Sequence, residues 1–441
     1  MADNVESGST IVAASAAAAA RAANRFGMGL FAFLAAAAAA AAAAKKVNRE
    51  APRAANVFFS PPSLLSTLGL LASAATEGSA AAVELDAVAG LRLTDDETAA
   101  AVFGEGGRSA RPGSLHAVMS PDNDAGVALH YTSGVWLRGG IDATYSQRVA
   151  ALYGATAAAL TTAAPINAAV AAATDGAITD LVANIRPDDV AVLVNVITFR
   201  GTWTTPFDPA ATRVGTFYAA AGSRGGVPAS FMHLQLPVQG SALVAVPPSA
   251  ECPGLTLVEL PYGEGGAFVA DFILPDSRRR GRMAAVAAAM PAAWDSWVAA
   301  LMSSTGSGSG NGGDRGNRHF AGGRADLSLP RFRLVDGVTD VIPALQAAGV
   351  TTIFTGAPGG AFRRMTLDPQ AAVTVFVYKA ALEVTEAGTT AATAAAAVVS
   401  RCVPPPRRPV VFDRPFGVVL RHRPTGAVLF TGVVADPQLV F

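Results

Sequence analysis

The chain has 441 residues, 51% of them hydrophobic, and its 33 basic and 33 acidic side chains leave a formal net charge of zero. That length supports a large core in one domain or a few, and the neutral balance speaks against the clustered Lys and Arg that nucleic-acid binding requires. Two cysteines, Cys252 and Cys402, exclude a disulfide scaffold and argue against a cysteine-built zinc site; they fit a reducing compartment.

The chain opens MADNVESGST, acidic where a secretory signal is basic. Residues 1–24 are rich in Ala and Ser and read as a low-complexity tail. Phe26, Leu30, Phe31, Phe33 and Leu34 then give a helix an apolar face. The uncharged run 27–44 touches the lower length limit of a membrane span. Ala35–Ala44 is all alanine, however, which forms helix well and adds little transfer energy, so a helix of a soluble domain is expected and no membrane partner. Ser60-Pro61-Pro62-Ser63 starts a helix, with Ser60 as cap and proline in the first turn. Its leucines, from Leu64 to Leu71, predict burial nearly all round.

Further on, 125–138 alternates like a strand, and Ala191–Phe199 is an apolar run that fits a strand buried on both faces. Leu255–Leu260 and Ala267–Leu274 read as strands joined through Pro261-Tyr262-Gly263. Ser303–Gly313 reads as a flexible loop. Ala325–Leu334, Ala372–Val384, Val410–Phe412, Phe416–Arg421 and Ala427–Val434 are strand-like, so the last third is mostly sheet. No repeat is visible, and no linker divides the chain.

Chemistry-bearing motifs are few. Gly308–Gly313 satisfies GxGxxG but lacks the flanking strand and helix of a dinucleotide site. His116, His130, His233, His319 and His422 show no metal-ligand spacing, and neither a GxSxG nor a P-loop occurs. Neither an enzyme nor a cofactor is expected. The unusual segment is 381–402, ALEVTEAGTTAATAAAAVVSRC. Glu386-Ala387-Gly388 interrupts a strand, and Thr389–Val398 is then all Thr, Ala or Val. Side chains this small suit a segment that enters a closed sheet as a strand, with Gly388 as its hinge. An Ala-rich linker is the plainer reading of the run alone.

The sequence resembles the serpin family, and its plant members in particular, over roughly residues 26–437. Asn56–Ser63 is similar to the family's NVxFSPxS helix start. Leu193-Val194-Asn195, Gly201-Thr202-Trp203 and Pro206-Phe207-Asp208-Pro209 resemble LVNAxxFKGxWxxPFDP. Val338–Phe354 follows a later helix and LGIxxxF segment. Glu386-Ala387-Gly388-Thr389 resembles the hinge EEGT, while Phe412–Phe416 and Leu429–Gly432 resemble FxxDRPF and LFxG.

The resemblance implies an α+β fold: one domain, here 25–441, of three β-sheets and eight or nine helices, with an exposed reactive loop over about 386–410. It implies a single-use inhibitor, a monomer that traps a serine or cysteine protease (trypsin-like, papain-like or Arg-specific) as its cleaved loop inserts into the central sheet. On the motif, Glu386, Gly388, Thr389, Thr390, Ala391 and Ala392 form the hinge. The cut bond is Cys402–Val403 or, with a loop one residue shorter, Arg401–Cys402. Trp203 and Arg331 match the breach at the top of the sheet, with Arg331 pairing Glu386. Asn195, Ser60 and Ser63 match the shutter beneath it. Three departures stand out. Tyr378 takes the place of the shutter histidine, the segment 160–178 is short so that the helix across the sheet should start late or be truncated, and Ala387 and Thr390 replace hinge acids. The hinge replacements do not block insertion, but Tyr378, the short segment and the unusual Arg401-Cys402-Val403 site favour the alternative, a non-inhibitory binding or chaperone-like serpin cleaved only as substrate. The cytosol, with access to the nucleus, is the expected location.

Overall fold

The computed structural model describes residues 20–40, 56–93, 95–103, 114–119, 124–176, 178–219, 226–278, 282–305, 324–334, 342–355, 361–368, 371–389 and 407–437. Three sheets organise them. The central sheet contains β1 (Val127–Leu137), β2 (Thr156–Ala159), β3 (Ala191–Thr202), β4 (Phe332–Leu334), β5 (Val373–Val384) and β6 (Gly388–Thr389). Its order is β4–β5–β3–β1–β2, and β6 lies against β3. A second sheet has six strands, from Val57–Phe59 at one edge to Ala242–Val246 at the other, and a third has four. Ten α-helices occur among the described residues, two of them as short as Leu115–Met119 and Thr352–Thr355.

The pattern of β3 explains its place. Leu193, Ile197 and Phe199 belong to the main core, while Val192, Val194 and Val196 pack with Ile166 and Val170 of the helix Ala163–Ala173 on the other side. An apolar run thus becomes a strand covered on both faces. The helix forms three residues after Leu160 and is 11 residues long. β3 pairs antiparallel with β1 over its length, and β5 runs parallel to it from Val373 beside Ala191 to Ala381 beside Thr198.

Under the central sheet lies the helix Pro61–Ala74, whose 14 residues are all buried, as its leucine spacing predicts. Ser60 caps it by accepting from the Ser63 N–H. Several boundaries differ from those read in the sequence. The helix Ala20–Ala40 begins inside the supposed tail, because the Asn24 side chain donates to the Gly426 carbonyl and accepts from the Val428 N–H. By length and composition that helix and Arg282–Ser304 could cross a membrane, yet half of the first one's apolar window is buried in the fold. Pro261 and Tyr262 belong to a strand, Leu255–Tyr262, rather than to a connection, since they pair with Val269 and Phe268. Ser303–Thr305 end a helix, Arg282–Thr305, while the rest of that glycine-rich segment lies outside the described residues.

Ala325–Leu334, read as one strand, is two. Ala325–Pro330 pairs in the four-stranded sheet, and Phe332–Leu334 is β4 of the central sheet. Arg331 is the residue at which the chain changes sheets, its N–H donating to the Ser230 carbonyl at 2.8 Å.

Candidate functional site

The head of the central sheet is where its regular pairing ends. Above Ala381, β5 is hydrogen-bonded to β4 on its far side, and Phe199–Thr202 of β3 extend beyond the β5 pairing. The chain leaving β5 turns back into that opening. Thr385 and Gly388 exchange backbone hydrogen bonds of 2.8 and 3.2 Å across a tight turn, and Gly388–Thr389 then pairs antiparallel with Thr202–Gly201. The hinge glycine read from the sequence sits at φ +136°. A Cβ there would lie 2.1 Å from the Gly201 carbonyl oxygen, so this close approach requires glycine.

Trp203 fastens the turn. Its backbone N–H donates to the Ala387 carbonyl at 3.0 Å, and its indole Nε1–H to the Thr385 carbonyl at 2.9 Å. The Phe207 N–H donates to the Glu386 carbonyl at 2.9 Å. The Trp203 ring stacks on Tyr262 with centroids 4.1 Å apart, a contact made possible because Tyr262 is in a strand. Glu386 is buried beside Arg331, whose Nε and Nη2 lie 2.7 and 2.5 Å from Glu386 Oε1. The Thr212 hydroxyl donates to the same oxygen at 2.5 Å. Burial alone would raise the Glu386 pKa, but the hydrogen bonds from Arg331 and Thr212 hold it below the ordinary glutamate value. Thr212 escaped the sequence reading. It is 174 residues from its partner, and no local pattern marks it.

The second group lies midway down the sheet, between it and the capped helix. Asn195 Nδ2 donates to the Ser63 carbonyl at 2.8 Å and to Thr67 Oγ1 at 2.5 Å. Thr67 in turn donates to the Ser63 carbonyl. Tyr378, directly beside Asn195 in the parallel register, accepts from the Ser60 N–H at 2.6 Å. Burial raises the Tyr378 pKa, so the phenol stays neutral. Ser60, Ser63, Asn195 and Tyr378, chosen from sequence, therefore meet in one buried polar cluster; Thr67 is the member that sequence reasoning missed. Trp203, Arg331, Glu386 and Gly388 meet in the other. Thr390, Ala391, Ala392, Arg401, Cys402 and Val403 lie outside the described residues, as does the side chain of Thr389.

The architecture has known counterparts. The family model "Serpin (serine protease inhibitor)" matches residues 35–437. The chain belongs to the serpin family. Serpins are generally inhibitors rather than catalysts, and the family includes both protease inhibitors and hormone-binding members. Glia-derived nexin of Mus musculus is similar to this serpin at 31% identity over 263 residues, 60% of this chain and 56% of that protein. Corticosteroid-binding globulin of Homo sapiens is 31% identical over 276 residues, 62% and 58% of the two chains. The alignments thus span less than two thirds of these relatives' length. Putative serpin-Z12 of Oryza sativa subsp. japonica is 30% identical over 62% of this serpin and 61% of its own length. Among solved structures, human thyroxine-binding globulin superposes with a TM-score of 0.69 at 21% identity, covering 96% of this chain and 99% of its own. Arabidopsis AtSerpin1 in its native stressed conformation gives 0.69 at 22%, covering 96% and 98%. At such identities the structures support the fold alone.

Proposed function

We propose that this serpin is a plant-type, single-use inhibitor of a serine or cysteine protease, and that its cleaved reactive loop inserts into the central sheet between β3 and β5. One observation carries the reading: Gly388 and Thr389 already pair with Thr202 and Gly201 at the head of β3. Carried down the strand one residue at a time, that antiparallel register sets Thr390 opposite Arg200, Ala395 opposite Asn195 and Val399 opposite Ala191, where β3 begins. The run of small residues, Thr389–Val398, would therefore cover all but the two ends of the 12-residue strand. Ala391, Thr393, Ala395 and Ala397 would face the core as Phe199, Ile197, Asn195 and Leu193 do. Side chains of this size pass between packed layers with little obstruction.

In the same register, Arg401 and Cys402 fall just past the end of β3, so cleavage at Arg401–Cys402 or Cys402–Val403 frees a segment long enough to insert fully. The first bond suits a trypsin-like or Arg-specific protease, and the second an enzyme with a small apolar pocket. The rice relative supports the plant-type reading. Two cysteines in 441 residues support a reducing compartment, the cytosol with access to the nucleus. The serpin acts as a monomer.

Incubation with a trypsin-like serine protease and, separately, a papain-like cysteine protease tests the reading. An SDS-stable complex is expected, with a released peptide that starts at Cys402 or Val403. Complete cleavage without any complex would overturn it. That result would favour the second reading, a serpin that binds without inhibiting. The hydrogen bond from the Ser60 N–H to Tyr378 speaks for that alternative, because it ties β5 to the start of the helix Pro61–Ala74, to which β3 is also bonded through Asn195, where the strands must part.

A further inference from the structure

At the end of the central sheet opposite the hinge, a cleft of about 740 Å³ opens between the helix Ala143–Tyr153 and the segment 361–368 that leads into β5. The strands between the two ends are 11 and 12 residues long, so the cleft lies roughly 35 Å from Gly388 at about 3.3 Å per residue. It belongs to neither polar cluster described above.

Three arginines stand in its walls. Arg148 stands one helical turn beyond Thr144 and Tyr145, so that all three line the same side of the cleft. Arg363 and Arg364 come from the facing segment, together with Thr366. The two walls are fixed to the fold by backbone hydrogen bonds. The Asp142 N–H donates to the Met365 carbonyl at 2.9 Å, and the Arg364 N–H to the Ala74 carbonyl at 3.1 Å. The arginine-bearing backbone is thus anchored on both sides of the cleft. Two carboxylates share the lining, Asp142 and Asp368. Asp142 already accepts from the Tyr145 N–H as the cap of its helix. Gly139 and Gly140 form part of the rim, with open space where a side chain would stand.

We propose that this cleft binds a small soluble polyanion that carries several phosphate or sulfate groups. Guanidinium forks recognise such groups by paired hydrogen bonds, and the volume exceeds what one phosphate fills. The hydroxyls of Thr144 and Thr366 add donors beside the arginines. A lipid headgroup offers the same chemistry, and vesicles distinguish that source from a free anion.

The test titrates inorganic tripolyphosphate into the full chain by calorimetry at 50 and 300 mM salt, with a thermal melt alongside. Saturable one-site binding is expected, weakening at least tenfold at the higher salt as exposed charges are screened, together with a raised melting temperature. Arg363→Glu/Arg364→Glu is expected to lose at least tenfold in affinity while melting like the parent without ligand. If that variant melts lower, Arg363→Gln, which changes only the exposed arginine, decides by the same loss of affinity. No binding, or binding unchanged in the variants, overturns the proposal. Vesicles containing phosphatidic acid are expected to leave the protein in the supernatant; sedimentation with them, abolished by the same variants, would overturn the soluble-ligand assignment. None of these readouts depends on protease inhibition.

Discussion

Gly388 carries two constraints at once, a left-handed φ and a carbonyl where a Cβ would stand. Gly388→Val satisfies neither, and the left-handed conformation alone costs a non-glycine residue about 1–2 kcal/mol. The turn is therefore expected to leave the sheet. The Trp203 and Phe207 amides, which donate to Ala387 and Glu386, report this directly. Their hydrogen exchange should accelerate roughly tenfold or more, since every ~1.4 kcal/mol is a factor of ten. Unchanged exchange would show that the turn is held by other contacts. Glu386 adds a pH dependence. Its carboxyl titrates below the ordinary value in the docked turn, so the released turn binds a proton more readily. By linkage, the docking contribution is complete above the ordinary value of 4.5 and is lost as pH falls through the depressed one. Exchange of the Trp203 amide, corrected for its intrinsic pH dependence, should rise below about pH 4.5. Arg331→Ala should produce that release at neutral pH, because Arg331 and Thr212 are the groups that favour the charged form.

At the scale of elements, the hinge and the run behind it make one sharp prediction. On the proposed insertion register, Ala395 would come opposite Asn195, whose side chain donates to the Ser63 carbonyl of the helix Pro61–Ala74 beneath the sheet. Ala395→Arg would carry a cation into that buried space on insertion, a cost of several kcal/mol without a partner. The variant should be cleaved at the parent's bond but form no SDS-stable complex, whereas Ala395→Ser should still trap protease. A trapped complex with the arginine variant would refute the register. Much of this geometry was legible in the chain because it is local or motif-borne. The Ser60 cap, the continuous apolar run of β3 and the break at Glu386-Ala387-Gly388 are written in adjacent residues. What was not legible depends on distant partners. Nothing near Thr212 announces Glu386, and nothing in Ala325–Leu334 says that one apparent strand must divide between two sheets. Pro261 looked like punctuation because proline usually ends a strand, yet here it pairs with Val269. The bond that a protease would cut lies outside the described residues, so its position still rests on the motif and the register.

The whole molecule joins the central sheet, which on the proposed mechanism gains a strand, to a second six-stranded sheet. The six-stranded sheet is held through its middle by charge. Arg421, fully buried, bonds Glu259 and lies 2.9 Å from Asp271, while Arg423 reaches the other Glu259 oxygen at 2.6 Å. Burial, and then the Asp271 charge, raise the Glu259 pKa to about 7, against the pull of Arg421 and Arg423. Removing one partner of such a group typically costs about 3–5 kcal/mol. Arg421→Met should therefore destabilise the protein by that amount, whatever the state of the loop. On the proposed mechanism, cleavage acts on the central sheet. About ten new residues of β-ladder, at about 1 kcal/mol net per hydrogen bond, should raise the melting temperature by roughly 10–20 °C. Because the two changes fall in different sheets, they should add. Melting the intact and loop-cleaved forms of both the parent and Arg421→Met gives four temperatures. The variant should lower both forms by a similar amount and leave the rise on cleavage intact. A rise that vanishes in the variant would mean that the six-stranded sheet moves with the central one during insertion. A rise absent from the parent as well would mean that the cut loop never enters the sheet, which leaves the non-inhibitory reading as the one that stands.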